Sequence, residues 1–492
     1  MHYKKSLVAG LVLSLMLWTF GTTACRSSTP ASNTASTNAD SSNDFTTLLT
    51  NVSSGVGKVS SHGGSGTPKI LVFEELHTSI AGQFEIAVML LRLRNQHGLR
   101  EIALEGLTKD KSYPSVQWFR QMGGPENGEL RNQIAVGLMR AGEISAVDLM
   151  AMVFPDTVVH AADDPVAYPA KLTEKANRAI GSYLYKIALK SPDNWVKQMS
   201  EELNKETRRS IEELQTLIQQ IEQRAAAVGA NLSEEDRRGM AETKAFFDAA
   251  RTRTKTMVDT SVEIGRSASL VAMNVGAAHT SEIVQMFQNS KATYGVLSPL
   301  ALANGLKAGD LTVEAFERKG DLMSVAFNGK GLGGLLDGRR KYPPAVDQKW
   351  LQAEAQLRYA TAVIVRSGGG GGKFPDSIPK DEINSLPDVK VHADSIRKEP
   401  NGDISFLASV LGQKGWVDIY VRGGMPNGIA ALEKHKGQAL EKLLLENLDE
   451  IRKEPGERKE PTREPVTEMV TPDVAAAYAK TPVALKQMKI SG

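Results

Sequence analysis

Two histidines and several carboxylates stand immediately after short apolar runs. Glu74, Glu75 and His77 follow "ILVF", Glu105 closes "EIAL" ahead of Gly106, Asp163 and Asp164 end "VVHAADD", and His279 follows "SLVAMNVGAA". An imidazole can donate or accept a proton, and a carboxylate beside it fixes which nitrogen does which. Brought together, such groups can act as a general base with orienting acids on an attacking water, or bind one divalent metal. Each residue also has a plainer reading. Glu74-x-x-His77 can be a solvated strand end, Glu105 a turn cap, and Gly276-Ala-Ala-His279 a tight strand-to-helix turn.

Chemistry at these positions requires a fold that gathers strand ends. "KILVFE" from Lys69, "REIALEG" from Arg100, "DTVVHAADD" from Asp156, "SLVAMNVG" from Ser269 and "TYGVLSP" from Thr293 read as strands, and Ala81 to Gln96 reads as an amphipathic helix. Strands alternating with helices predict an α/β domain over 67–300, with a mainly parallel central sheet flanked by helices. In such a sheet the carboxyl ends line one crevice, where ligands bind.

The alternation is interrupted by a helical insertion at about 169–258. Ile211, Leu214, Ile218 and Ile221 recur at three- and four-residue steps, and Ser233 in "NLSEED" supplies a helix cap. The insertion reads as a hairpin covering the sheet or projecting as a lid. Beyond it, "DLMSVAFNG", "TAVIVRS" and "GWVDIYVRG" read as strands of an α+β extension over 301–426. From 427 to 492 the chain reads as a helix, Ile429 to Arg452, followed by the charged, Pro-containing "KEPGERKEPTREP" without stable structure. Two glycine-rich stretches are not nucleotide sites. "SGGGGGKF" has Ser367 in place of its first glycine and no hydroxyl residue after Lys373, and "GKGLGG" from Gly329 lacks the helix and acidic residue of a dinucleotide fold.

The chain of 492 residues has 59 basic and 57 acidic residues, a net charge of +2 that gives no reason to expect a nucleic-acid partner. Lys4 and Lys5 precede an apolar run from Leu7 to Phe20 and a small-residue ending, the pattern of a secretory signal over 1–25. The run is shorter than the roughly 20 residues needed to span a bilayer. Cys25 is the single cysteine, which rules out an intrachain disulfide and a cysteine-based zinc site. Thr-Thr-Ala-Cys25 resembles a bacterial lipobox, with Arg26 rather than Asp after the cysteine. That resemblance implies export and a lipid anchor at Cys25 in the cell envelope, at an outer membrane; ordinary cleavage after Ala24 is the alternative. Residues 26–66, rich in Ser, Thr, Asn and Gly, read as a disordered tether.

Glu74-x-x-His77 after a first strand, "ALEG" after a second, Arg253-x-x-x-Met257 opening a late helix and "VGAAH" after the next strand together resemble the superfamily of erythromycin esterases, ChaN haem-binding lipoproteins and TraB/Tiki proteins. The resemblance covers about 68–300 outside the insertion. It implies that His77 is the first-motif histidine with Glu74 as its partner, that Glu105 closes the second strand, and that Arg253 and His279 complete the site. Glu143 in "GEIS" and Asp163 or Asp164 in "AADDP" match further strand-end elements less closely. Phe73 stands where the esterase pattern has Gly.

The implied activity is hydrolysis of an ester or a peptide, with His77 as general base. Glu74 and Glu105 would orient it, and Arg253 and His279 would stabilise the oxyanion. In a metal-dependent version His77, His279 and Glu105 hold a divalent metal. The alternative is a ChaN-like lipoprotein that binds haem or another iron ligand without catalysis, and a purely structural envelope protein is a third reading.

Overall fold

A computed structural model describes residues 39–75, 79–140, 142–167, 172–191, 194–203, 211–290, 292–304, 349–369, 376–398, 404–412, 415–423, 437–453 and 466–469. These divide into two compact units. The first is drawn from Met1–Thr78, Met89–Tyr113 and Thr157–Ala308, the second from Ser79–Val88, Pro114–Asp156 and Gly309–Gly492.

The first unit is built on a six-stranded sheet: β1 (Gly57–Gly63), β2 (Lys69–Glu75), β3 (Glu101–Thr108), β4 (Val158–Asp163), β5 (Leu270–Gly276) and β6 (Thr293–Pro299). Their order is β1-β6-β2-β5-β3-β4; β6, β2, β5, β3 and β4 run parallel, and β1 is an antiparallel edge on β6. Ile70, Leu71, Val72 and Phe73 of β2 are all fully buried, as the continuous apolar run of a strand covered on both faces requires. The unit's helices are α1 (Ala39–Ser53), α2 (Ile80–His97), whose first turns belong to the second unit, α3 (Leu172–Lys190), α4 (Trp195–Leu203), α5 (Ile211–Ala227), α6 (Glu234–Ile264), α7 (Thr280–Gln288) and α8 (Leu300–Ala303).

Side-chain alternation assigns the faces. Ile70, Val72, Ala103, Val271, Met273, Val275, Tyr294 and Val296 form one core with Met257 and Val258 of α6 and Ile283 and Phe287 of α7. A second core lies within the insertion, where Ile180, Leu184 and Ile187 of α3 meet Ile218 and Ile221 of α5 and Met240 and Phe247 of α6. Helix α6 therefore belongs to both cores. It has 31 residues, roughly 46 Å of helix at 1.5 Å per residue, so its first half completes the helical core and its second half lies on the sheet. The expected cap is present: Ser233 accepts from the Asp236 amide and Asp236 reaches back to the Ser233 amide.

The structure corrects the tether expected over 26–66. Residues 39–53 form α1 and 57–63 form β1, and Phe45, Leu49, Val52 and Val56 are buried. Leu49 lies against the sheet face opposite α6 at Gly295, where a Cβ atom would come within 2.5 Å of the leucine Cδ2. Residues 1–38, with Cys25 and the signal, lie outside the described residues.

In the second unit an antiparallel sheet pairs β7 (Val389–Val391), β8 (Arg397–Lys398), β9 (Ile404–Gly412), β10 (Gly415–Gly423) and β11 (Val466–Met469). The helix Lys349–Gly369 packs on β7 and β9 and on the helices Gly128–Arg140 and Gln117–Gln121. This corrects the strand expected at "TAVIVRS", which lies inside that helix. The helix is buried on nearly every side, so a run of β-branched residues there carries no amphipathic stripe to distinguish it from a buried strand. The strand expected at 321–329 and the loop "GKGLGG" lie outside the described residues. Of the expected tail helix, Leu440–Arg452 is described, and Val466–Met469 extends the sheet rather than continuing an unstructured tail. No described helix is long and apolar enough to cross a membrane.

Candidate functional site

The strand order decides which polar ends are neighbours. Strand β5 lies between β2 and β3, so His279, three residues beyond Gly276, emerges between the ends that carry Glu74 and Glu105. At about 4.8 Å per strand, the axes of β2 and β3 lie roughly 10 Å apart.

Glu105 is placed by an irregularity. The β3–β4 register shifts between Leu104 and Thr108, and Gly106 sits at φ 81°, a conformation open to glycine at little cost. The Gly106 amide donates to Asp163 Oδ2 at 2.9 Å. Asp163, fully buried at the end of β4, also accepts from the Asp164 amide at 2.8 Å. Its main partner is Arg253, which donates from Nε to Oδ1 at 2.9 Å and from Nη2 to Oδ2 at 2.7 Å. The same Nη2 donates to Glu105 Oε1 at 2.7 Å. Glu105 Oε2 accepts from the Gly276 amide at 2.5 Å, which ties the ends of β3 and β5 together.

His279 closes the cluster. Its Nε2 lies 3.4 Å from Glu105 Oε1, and its Nδ1 lies 2.7 Å from the hydroxyl of Thr254. Glu105, Asp163, Arg253, Thr254 and His279 are all buried. A charge so placed persists only when paired. Burial alone would lower the Arg253 pKa, but Glu105 and Asp163 outweigh it and the pKa is raised, so the guanidinium stays charged throughout the working pH range.

Arg253 and Thr254 arrive from the middle of α6, where the helix passes from its own core to the sheet. The expected helix start at Arg253 is thereby corrected: the helix begins nineteen residues earlier, at Glu234, and the insertion's last helix itself supplies the site.

The neighbouring acids of β2 separate. Glu74, on the same face as Val72, accepts from the Ser298 hydroxyl of β6, whereas Glu75, on the opposite face, accepts from the Asn274 side chain. Asp164 turns away from the cluster and accepts from the amides of Ala167 and Val166, which hold its carboxyl below the usual range. Glu143 is buried in the second unit, between the helices Gly128–Arg140 and Ala146–Val153 in the chain. His77 lies outside the described residues. His160 of β4 pairs with Glu101 at 2.5 Å at the opposite end of β3.

Of the expected metal set, His77 lies outside the described residues, and Glu105 and His279 have protein partners. Both Glu105 oxygens are engaged by Arg253 and Gly276, and His279 is held through Nδ1 by Thr254. Among the described residues no group of three or more His, Cys, Asp or Glu side chains is arranged to hold a metal ion.

Sequence reasoning missed Thr254, Ser298 and Gly106. Gly106 carried a signal, since an isolated glycine in a strand pattern marks a bulge. Thr254 carried none beyond its place beside Arg253. Comparison with family models, curated proteins and solved structures finds no match to this chain.

Proposed function

We propose that this chain is an exported hydrolase of the erythromycin esterase, ChaN and TraB/Tiki superfamily, cleaving an ester or a peptide by activating water at the strand-end His/Glu cluster. One observation carries the reading. Glu105 joins Arg253, the Gly276 amide and His279, residues 148, 171 and 174 positions away from it in the chain, at the carboxyl edge of a parallel sheet. Ligands bind at that edge in α/β folds, and a buried charged network there is costly unless it serves a purpose.

In this reading a histidine, His77 on the resemblance, takes a proton from water as the oxygen attacks the substrate carbonyl. Arg253 supplies fixed positive charge near the oxyanion. The tetrahedral intermediate then collapses, the bond to the leaving group breaks, and that group takes the proton back from the histidine. Glu105 holds Arg253 and His279 in register. No step is routed through a metal.

The test is hydrolysis of p-nitrophenyl esters and of a fluorogenic peptide library by the purified protein, beside Glu105→Gln, His77→Ala and His279→Gln. Turnover by the wild type and a loss of about 10²-fold or more in each variant is expected. A wild type at the background rate with both substrate classes sinks the reading, and a Soret shift on titration with haem would favour the ChaN-like alternative. We further propose that Cys25 carries a lipid anchor to the cell envelope. Cys25→Ser should then move the protein from the membrane to the soluble fraction.

A further inference from the structure

We propose that Thr254 is a positioning residue for His279: its hydroxyl oxygen accepts a hydrogen bond from Nδ1–H, which holds the ring with Nε2 turned to Glu105. The geometry forces the choice. Thr254 Oγ1 lies 2.9 Å from the Ala250 carbonyl oxygen, one helical turn back, and 2.7 Å from His279 Nδ1. The hydroxyl has one hydrogen, and the carbonyl oxygen can only accept. Both contacts are hydrogen bonds in one arrangement alone: the threonine donates to Ala250, and Nδ1–H donates to the threonine oxygen. With Nδ1 bare, one of the two contacts sets lone pair against lone pair.

Thr254 is fully buried, so water has no route to replace the hydroxyl. A threonine bonded to the carbonyl four residues back is common in helices; the second contact, to a histidine on another element, is the unusual one. With Nδ1 thus occupied, Nε2 faces Glu105 Oε1 at 3.4 Å. The same carboxylate oxygen accepts from Arg253. The arrangement follows the logic by which a second hydrogen bond orients a working imidazole, with a helix hydroxyl in the place usually taken by a carboxylate or a carbonyl.

The tautomer inference stands on geometry, and only its kinetic consequence rests on the hydrolase reading. Long-range proton–nitrogen NMR on purified protein with nitrogen-labelled histidine reads the tautomer directly, with His279→Gln assigning the signal. The wild type should show Nδ1 protonated, Thr254→Ser should keep that pattern, and Thr254→Val should lose it. Nδ1 bare in the wild type, or a pattern unchanged in Thr254→Val, overturns the inference, and the wild-type spectrum decides it even if the valine variant does not fold. In the ester assay Thr254→Val should lower kcat about 10-fold with little change in KM, and Thr254→Ser should restore it. Absence of wild-type turnover removes the hydrolase reading while the spectrum still decides the role of Thr254.

Discussion

Arg253 meets Asp163 side-on, with Nε 2.9 Å from one carboxylate oxygen and Nη2 2.7 Å from the other. The fork matches the carboxylate plane, and Nη2 is then shared with Glu105. Without the Asp163 charge, Arg253 keeps Glu105 as a partner but loses the two-point contact, and the Gly106 amide loses its charged acceptor. Asp163→Asn is expected to cost about 1–3 kcal/mol, read as a lower urea midpoint at unchanged slope. Arg253→Lys should not rescue the site, since a single ammonium cannot reproduce the fork. A stability of Asp163→Asn within error of the wild type would show that the pair does not organise these strand ends.

Gly106 should tolerate no branched side chain. At φ 81° a β-branched residue is strained by roughly 1–2 kcal/mol or more, and relief of that strain would turn the Gly106 amide away from Asp163. Gly106→Val is therefore expected to lower both stability and activity, with the larger loss in kcat because Glu105 is the adjacent residue. A stability of Gly106→Ala within error of the wild type would show that the positive φ here carries no cost, since any Cβ atom is strained in that conformation.

Residues 39–53 are part of the body of the first unit, and Leu49 is the test of that. It is fully buried against Gly295 of β6, so Leu49→Ala should destabilise the protein by about 2–5 kcal/mol. A tether residue would cost nothing measurable. Calorimetry or urea unfolding of the two proteins separates the cases.

The misreading of this segment and the success with the strands have one physical source. The strands announced themselves because Ile70 to Phe73 and Leu270 to Met273 are apolar on both faces, a pattern that composition alone reveals. Helix α1 spreads Phe45, Leu49 and Val52 at steps of four and three among Ser, Thr and Asn. Average composition therefore hid a narrow apolar stripe that helical spacing would have exposed. The helix Lys349–Gly369 failed in the opposite way, since burial all round removed the stripe. At the site, Glu105, Asp163 and His279 were legible as strand ends, and Arg253 only through the resemblance. Thr254 was not legible, because its contact with His279 depends on how α6 is rotated over the sheet, and no local spacing records that rotation.

Acid should weaken the insertion through Asp236. Burial raises its carboxyl pKa, but hydrogen bonds from Lys186, Ser182 and Ser233 outweigh that and hold it well below the ordinary aspartate range. Ser182 donates to Oδ1 at 2.5 Å, the Ser233 amide and hydroxyl to Oδ2 at 2.6 Å, and Lys186 pairs with Oδ2. With the folded pKa depressed, the ionised form stabilises the fold above the unfolded value of about 3.9. That contribution is lost as pH falls from there through the folded value. Asp236→Asn should therefore lower the melting temperature clearly at neutral pH, and the gap to the wild type should narrow steadily as pH falls below about 4. The narrowing should also appear in Lys186→Met, which removes the cation that holds the carboxylate. A gap that stays constant from neutral to acid pH would show that Asp236 acts through its capping hydrogen bonds alone and not through its charge.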